Sequence, residues 1–306
     1  MSTFNSKNLN NYTQLAGNLK YFTSSSETTR KKEFNFDQFY QIYGNKINND
    51  WLIWFIGFTE GDGSITVYNN KLRFVITQKE GAILYHIQNI LGIGTVSKNK
   101  DNYYRYSVHN QEEILKLAYI FNGNLVISYR IKQLSLWLTI LTQLNYNIIF
   151  NNEPVYPTLN DAWLSGFTDA EGCFNVTIQK RKESKLGDRV ILRYILDQNN
   201  FYNNFIYISS LFNGGYTQLR SKNKNNEHYR FTINSFKIIE LVIIYFNKFP
   251  LKTLKLINYN KWINIYLLIL DKKHLTEEGL KQIKLMKKEI NINNSLTKKI
   301  GHSLKS

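Results

Sequence analysis

The segment Gly57-Phe58-Thr59-Glu60-Gly61-Asp62-Gly63 returns as Gly166-Phe167-Thr168-Asp169-Ala170-Glu171-Gly172. A chain that repeats itself at so wide a spacing is constrained to fold as two like halves. Both copies follow an apolar run containing tryptophan, Trp51–Ile56 and Ala162–Ser165. Downstream, Val75-Ile76-Thr77-Gln78 is answered by Ile195-Leu196-Asp197-Gln198, and Tyr104-Arg105-Tyr106-Ser107-Val108 by Tyr229-Arg230-Phe231-Thr232-Ile233. The offset grows from 109 to 120 to 125. The extra residues therefore fall in two polar stretches, Lys180–Asp188 and Ser221–Glu227, where turns are expected.

Each half reads as helix, hairpin, helix, hairpin, helix. Strands are expected at Ser64–Asn69 and Lys71–Gln78, with Ile65, Val67, Leu72, Phe74 and Ile76 alternating onto one face. Helical spacing of Ile83, Ile87, Ile90 and Leu91 ends at Gly92. A second hairpin is expected over Thr95–Lys98 and Tyr103–His109, followed by helices over Gln111–Phe121 and Tyr129–Asn145. Two of the three prolines lie in Glu153-Pro154-Val155-Tyr156-Pro157, which sets the boundary between halves. The domain reading is a polar, loosely ordered leader (1–46), a first half (47–150), a linker (151–158), a second half (159–273) and a basic C-terminal helix and tail (274–306). The last long helix is expected over Lys252–Leu270.

Gly57 and Gly61, like Gly166 and Ala170, lie four residues apart on one helix face, so two such helices can pack backbone to backbone. Close packing brings the acids at the helix ends together. Adjacent carboxylates repel unless protonated or bridged by a cation, and oxygen-only ligands suit Mg²⁺. The chain also carries 39 Lys and Arg against 23 Asp and Glu, a net charge of +16, most of it outside the lysine-rich tail. A basic folded body points to a polyanion, above all nucleic acid. A basic protein holding Mg²⁺ between carboxylates is equipped for phosphodiester hydrolysis.

The single cysteine, Cys173, rules out an internal disulfide framework and a cysteine-based zinc site. No apolar run reaches membrane-spanning length, and the first twenty residues lack the apolar core of a secretory signal. The expectation is a soluble protein. Abundant Asn, Lys, Ile, Tyr and Phe with only three prolines indicate A/T-rich codons, as in organelle genomes.

The paired motifs resemble those of the LAGLIDADG homing endonucleases in their single-chain, two-motif form. The resemblance spans about residues 48–272, with Phe55–Gly63 and Leu164–Gly172 in the nine motif positions. It implies an α+β fold of two pseudo-twofold-related αββαββα units, each presenting a saddle-shaped antiparallel sheet to DNA. It implies metal binding by Asp62 and Glu171 with the carbonyls of Gly61 and Ala170, and it leaves Glu60 and Asp169 to support the helix interface. It further implies that Gln78 and Gln198, each ending a second strand, and Lys255, after the third helix, order solvent at the scissile phosphates. In the first half both Arg130 and Lys132 lie near the place that matches Lys255. If Arg130 fills it, the two strands would be nicked at unequal rates.

Strand parity then gives the DNA-facing residues. In the first half they are Ser64, Thr66, Tyr68, Asn70, Lys71, Arg73, Val75, Thr77, Tyr103, Arg105 and Ser107. In the second they are Asn175, Thr177, Gln179, Arg181, Arg189, Ile191, Arg193, Ile195, Gln218, Arg220, His228, Arg230 and Thr232. This surface reads as nearly free of acids.

The expected activity is that of a monomeric, site-specific DNA endonuclease using Mg²⁺. It would cut a long non-palindromic duplex to leave 3′ overhangs, with Ca²⁺ supporting binding without efficient cleavage. The resemblance and the A/T bias together imply an organelle-encoded, mitochondrial protein with no membrane and no obligate protein partner. Two alternatives stand beside it. One is an RNA maturase binding its host intron, which the tail lysines Lys281, Lys284, Lys287 and Lys288 would serve. The other is a DNA-binding protein that has lost cleavage, against which the intact acids argue.

Overall fold

A computed structural model describes residues 32–44, 46–224 and 226–290. Helix α1 (Asp37–Tyr43) precedes the first half. That half runs α2 (Asn49–Asp62), β1 (Gly63–Tyr68), β2 (Lys71–Gln78), α3 (Gly81–Leu91), β3 (Thr95–Lys98), β4 (Tyr104–Val108), α4 (Gln111–Phe121) and α5 (Ser128–Gln143). The second half repeats the order as α6 (Trp163–Glu171), β5 (Gly172–Lys180), β6 (Asp188–Asn199), α7 (Tyr202–Leu211), β7 (Tyr216–Asn223), β8 (Asn226–Ile233), α8 (Phe236–Lys248) and α9 (Lys255–Leu270). Helix α10 (Glu277–Glu289) follows. The strands form two antiparallel four-stranded sheets of the same topology, β1-β2-β4-β3 and β5-β6-β8-β7. The expected α+β fold of two αββαββα units is the one observed.

Local chemistry explains the element ends. The Asn48 side chain caps α2 by accepting from Trp51 N at 3.2 Å. Asn69 and Asn70 both take positive φ, the tight hairpin turn that matches sheet twist. Asn70 therefore sits in the turn rather than on a strand. One face of each sheet is core: Ile65, Leu72, Phe74, Ile76, Tyr106 and Val108 in the first, Phe174, Tyr194, Leu196 and Phe231 in the second. Val67, near the hairpin end, is only half-buried.

Helices α2 and α6 meet at the junction of the halves, and their contact is made of backbone. A Cβ built on Gly57 would lie 2.1 Å from the Trp163 carbonyl oxygen, and one on Gly166 would lie 1.9 Å from that of Trp54. No residue but glycine fits at this approach. Trp51 through Glu60 are all buried, because α2 has the core on one side and α6 on the other.

Four sequence expectations change. Part of the leader is folded: Phe36 and Phe39 are buried and α1 packs against α4, whereas residues 1–31 lie outside the described residues. The segment 151–158 is not a bare tether. Val155 is 1% exposed and donates its N–H to Leu125 O at 2.9 Å, while Lys32 Nζ bonds Asn151 Oδ1 at 2.6 Å. An apolar side chain inside a proline-rich linker found a pocket, which a turn signal does not report. Of the two insertions, Arg181–Gly187 is a turn. The second instead lengthens the strands, since Ser221, Lys222 and Asn223 pair with His228, Glu227 and Asn226 beyond a bulge after Leu219. The start of the last long helix moves from Lys252 to Lys255.

The glycine contact yields a direct test. Gly57→Ala or Gly166→Ala must push a helix off its partner's carbonyl, so each should lower stability by at least about 1–3 kcal/mol, the usual cost of overpacking. Urea unfolding measures this, and an unchanged midpoint would show that the helices do not touch through their backbones.

Candidate catalytic centre and nucleic-acid interface

Asp62 is the last residue of α2 and Glu171 the last of α6, and each is followed by a glycine that opens a strand. A Cβ on Gly61 would lie 2.3 Å from Ala170 Cβ and 3.2 Å from Glu171 Cγ, so the two acids leave backbones that are nearly in contact. Each is held by the glutamine ending the second strand of its own half. Gln78 Nε2 donates to Asp62 Oδ2 at 2.5 Å, and Gln198 Nε2 donates to Glu171 Oε1 at 2.9 Å. Burial, then the charge of Asp62, pushes the Glu171 carboxyl up to about 7. Burial also raises Asp62, against the pull of Lys255 and the Gln78 hydrogen bond.

Among the described residues, no group of three or more His, Cys, Asp and Glu is arranged to hold a metal. Asp62 and Glu171 lie near each other, and the donors around them, with the adjoining Gly61 and Ala170 carbonyls, are all oxygen; Ala170 O already accepts from Lys255 Nζ at 2.6 Å. That set fits a hard divalent cation completed by water and by oxygens of a bound phosphodiester, and it fits no soft metal.

The other motif acids do different work. Glu60 is wholly buried; its Oε1 accepts from Val126 N (2.9 Å) and Ile127 N (2.7 Å), and its Oε2 accepts from Trp163 Nε1 of the other half at 2.6 Å. Asp169 mirrors it: Oδ2 accepts from Trp54 Nε1 (2.8 Å) and Lys252 N (2.7 Å), and Oδ1 accepts from Thr253. Each acid thus caps the approach to its own half's last helix and binds the other half's tryptophan. The repeat did carry a signal for these tryptophans, since Trp54 and Trp163 both stand three residues before the glycine.

Arg130 and Lys255 occupy matching places. Arg130 Nε and Nη2 donate to Glu60 O at 3.3 and 3.1 Å, and Nη2 reaches Gly61 O at 3.5 Å. Lys255 Nζ donates to Thr168 O (3.0 Å), Asp169 O (2.7 Å) and Ala170 O (2.6 Å). Each cation sits on the free carbonyls at the C-terminus of an acid-bearing helix, where the helix dipole favours it. Lys132 points to solvent and makes no such contact. All three Lys255 protons are committed to carbonyls, so ordering a water would require releasing one. Burial lowers the Lys255 pKa, opposed by Asp62, Asp169 and Glu171. Glu80, not anticipated from sequence, crosses between halves to accept from Leu254 N at 2.8 Å beside Lys255.

The faces opposite the core carry the parity-derived residues in register. In the first sheet Tyr68 lies opposite Lys71, Thr66 opposite Arg73, Val75 opposite Ser64 on one side and Ser107 on the other, and Thr77 opposite Arg105. Arg73 stacks on the Tyr68 ring at 5.1 Å, and Tyr103 lies just before β4. In the second, Asn175 lies opposite Arg193, Thr177 opposite Ile191, Gln179 opposite Arg189, and Gln218 opposite Arg230. Arg193 Nη1 donates to Thr177 Oγ1 at 2.5 Å.

Several members depart from the expectation. Arg181 lies in the β5–β6 turn, and Arg220 is the bulge residue between Leu219 and Ser221. Thr232 is 2% exposed between Ile195 and Tyr216, so it offers no free surface; parity fixes a face but not what covers it. The surface also holds an acid that the sequence reading passed over: Asp197 forks to Arg230 and lies 3.7 Å from His228 Nε2.

The family model described as LAGLIDADG endonuclease matches residues 55–141 and 164–266, once over each half. The chain belongs to the LAGLIDADG endonuclease family. The probable intron-encoded endonuclease 4 of Neurospora crassa is 41% identical over 249 residues, covering 79% of this chain and 44% of the relative. The chain thus spans under half the length of that relative. The uncharacterised cox1 intron-2 protein of Schizosaccharomyces pombe is 32% identical over 244 residues, covering 74% of this chain and 69% of its own. Among solved structures, the LAGLIDADG meganuclease I-AabMI bound to uncleaved DNA superposes with a TM-score of 0.66 at 25% identity. It covers 80% of this chain and 100% of its own.

The crossed acid–tryptophan bonds set the next test. In Glu60→Gln or Asp169→Asn one oxygen becomes a donor, so at least one buried N–H loses its acceptor at a cost of about 1–3 kcal/mol. A thermal melt should show that loss. Burial raises the Glu60 carboxyl to about 7 against an ordinary value of 4.5. Its contribution to stability is therefore greatest below its unfolded value and falls as pH rises toward 7. Glu60→Gln should flatten part of that slope; a parallel pH profile would show that Glu60 does not titrate there.

Proposed function

We propose that the chain is a site-specific DNA endonuclease that breaks both strands of a long, non-palindromic duplex. The observation that carries this reading is the placement of Asp62 and Glu171 on adjoining backbones, each held by a glutamine at the end of a strand. The residues suited to reading bases lie on the sheets that start from those same acids. A divalent cation held by Asp62, Glu171 and the Gly61 and Ala170 carbonyls would supply charge for the leaving oxygen and lower the pKa of water. Mg²⁺ fits this all-oxygen set best. Gln78 and Gln198 orient the carboxylates through one amide proton each, and Gln198 is itself fixed by Asn199 N, which donates to its Oε1 at 2.8 Å. Arg130 and Lys255 fix the helix ends, and their charge lies beside the place where phosphate charge develops.

Unlike cations serve the two halves, a planar fork in one and a point charge in the other. The two strands should accordingly be nicked at different rates. With the acids set against the minor groove, the cuts would be offset and leave 3′ single-stranded ends. The relatives' intron-encoded character and the A/T-biased composition support encoding in a mitochondrial intron. The protein would act as a monomer, since both half-sites are met by one chain.

The test removes charge without changing shape. Asp62→Asn and Glu171→Gln should each lower double-strand cleavage by orders of magnitude while duplex binding persists, because the base- and phosphate-contacting residues lie on the sheets. Binding should hold or tighten, since a carboxylate near phosphate repels it. Ca²⁺ should support binding with little cutting. Normal cleavage by both variants would overturn the assignment of the acids. Binding of the host intron RNA in preference to duplex DNA would favour the maturase reading.

A further inference from the structure

Arg105 and Arg230 hold equivalent places in the two sheets, yet their surroundings differ. Arg105 on β4 lies opposite Thr77, and Arg230 on β8 lies opposite Asp197. Thr77 and Asp197 are themselves equivalent, each standing one residue before the glutamine that holds a motif acid. The molecule therefore contains its own comparison: one arginine with an acid opposite, one without. Arg230 Nε donates to Asp197 Oδ1 and Nη2 to Oδ2, both at 2.7 Å. Arg105 is exposed, and its side chain has no hydrogen-bond or ion-pair partner among the described residues.

A guanidinium carries five N–H donors in a planar fork. The grip of Asp197 uses the edge formed by Nε and Nη2. The opposite edge, formed by Nη1 and the second Nη2 proton, keeps two parallel N–H bonds aimed away from the carboxylate. That edge matches guanine O6 and N7 in the major groove. The side chains of Arg230 and Asp197 are 32% and 26% exposed, so the pair is set into the sheet surface with its free edge uncovered. Gln218 flanks Arg230 on the neighbouring strand and Asn199 holds His228 at 3.1 Å, so the surroundings add donors and acceptors, while Asp197 also lies within electrostatic reach of Glu171. An arginine already fixed in one rotamer loses less freedom on contact than one that must be ordered by the base.

We propose that Asp197 is a specificity-determining residue: it holds Arg230 so that the free guanidinium edge reads guanine at one base pair of the second half-site. Arg105 reads its own position in the first half-site without such a brace and discriminates less sharply there. The proposal rests on the DNA-binding reading above and assigns a new role within it. Asp197 does not touch the base; it acts through Arg230. A carboxylate acting only as a nearby charge would instead repel every duplex alike, whatever its sequence.

The experiment is selection from a pool of randomised duplex DNA by the full-length protein in Ca²⁺, repeated for variants whose folding is confirmed by thermal melts. The wild type should enrich guanine at one position of the second half-site. Asp197→Ala should cut the preference there by about tenfold or more, the usual worth of a good bidentate contact, and leave other positions unchanged. Arg230→Ala should flatten the same position, and the double variant should be no worse than Arg230→Ala alone. Arg105→Ala should flatten a position in the other half-site that Asp197→Ala leaves intact. Asp197→Asn, which keeps the shape and one acceptor, should fall between and serves if the alanine variant does not fold. Equal tightening across all sequences on loss of Asp197, or flattening at a position other than that of Arg230, would overturn the proposal alone. A wild type that enriches no sequence would remove the DNA reading and this inference with it.

Discussion

The close approach of α2 and α6 governs the rest of the molecule. Two helices can bring their backbones within touching distance only where no side chain intervenes, and Gly57 and Gly166 supply that gap. Once the helices meet, geometry places the last residue of each beside the other, so Asp62 and Glu171 emerge together without any loop to arrange them. The same approach lets Trp163 reach Glu60 and Trp54 reach Asp169, each indole bonding a carboxylate of the opposite half. Those carboxylates also accept from the backbone where their own half's last helix begins. One contact therefore fixes the acids, the helices that carry Arg130 and Lys255, and the relative placement of the two sheets.

Burying four carboxyl groups at one junction has a cost, and the structure meets it in two ways. Glu60 and Asp169 are saturated with N–H donors, so their burial is compensated by hydrogen bonds. Asp62 and Glu171 receive one amide proton each and lie in the field of Lys255. The difference follows from position along a helix: the residue two before the end points into the interface, whereas the last residue points out of it. Carboxylates thus become structural in one register and, in the proposed function, metal-binding in the other.

Most of this was legible in the sequence, because the signals were periodic. Four-residue spacing of small residues foretold the helix contact, and alternation along β1 and β2 foretold which face is core. What escaped was what periodicity does not encode. Parity assigned Thr232 to the outer face but not the packing of Ile195 and Tyr216 around it. The polar tract Ser221–Glu227 has the composition of a turn and pairs as strand through a bulge. Pro154 and Pro157 marked a linker, yet Val155 between them is core. Asp197 was legible but passed over: it aligns with the outward Thr77 and continues the alternation of Ile191, Arg193 and Ile195.

The halves are alike in backbone and unlike in much of what their sheets present. The helix contact demands the resemblance, since both partners must present glycine to each other. Nothing imposes it on the sheets. The β1–β2 turn is the pair Asn69–Asn70, while β5 and β6 are joined by Arg181–Gly187. Arg130 stands where Lys255 does, Thr77 where Asp197 does, and Glu80, which caps the approach to α9, where Asn200 instead bonds Glu227 N and Asn226. A surface whose two halves present different donors has no physical reason to favour a palindrome. Fusing the halves in one chain is what allows this, because a homodimer would carry every substitution to both sides of its axis at once.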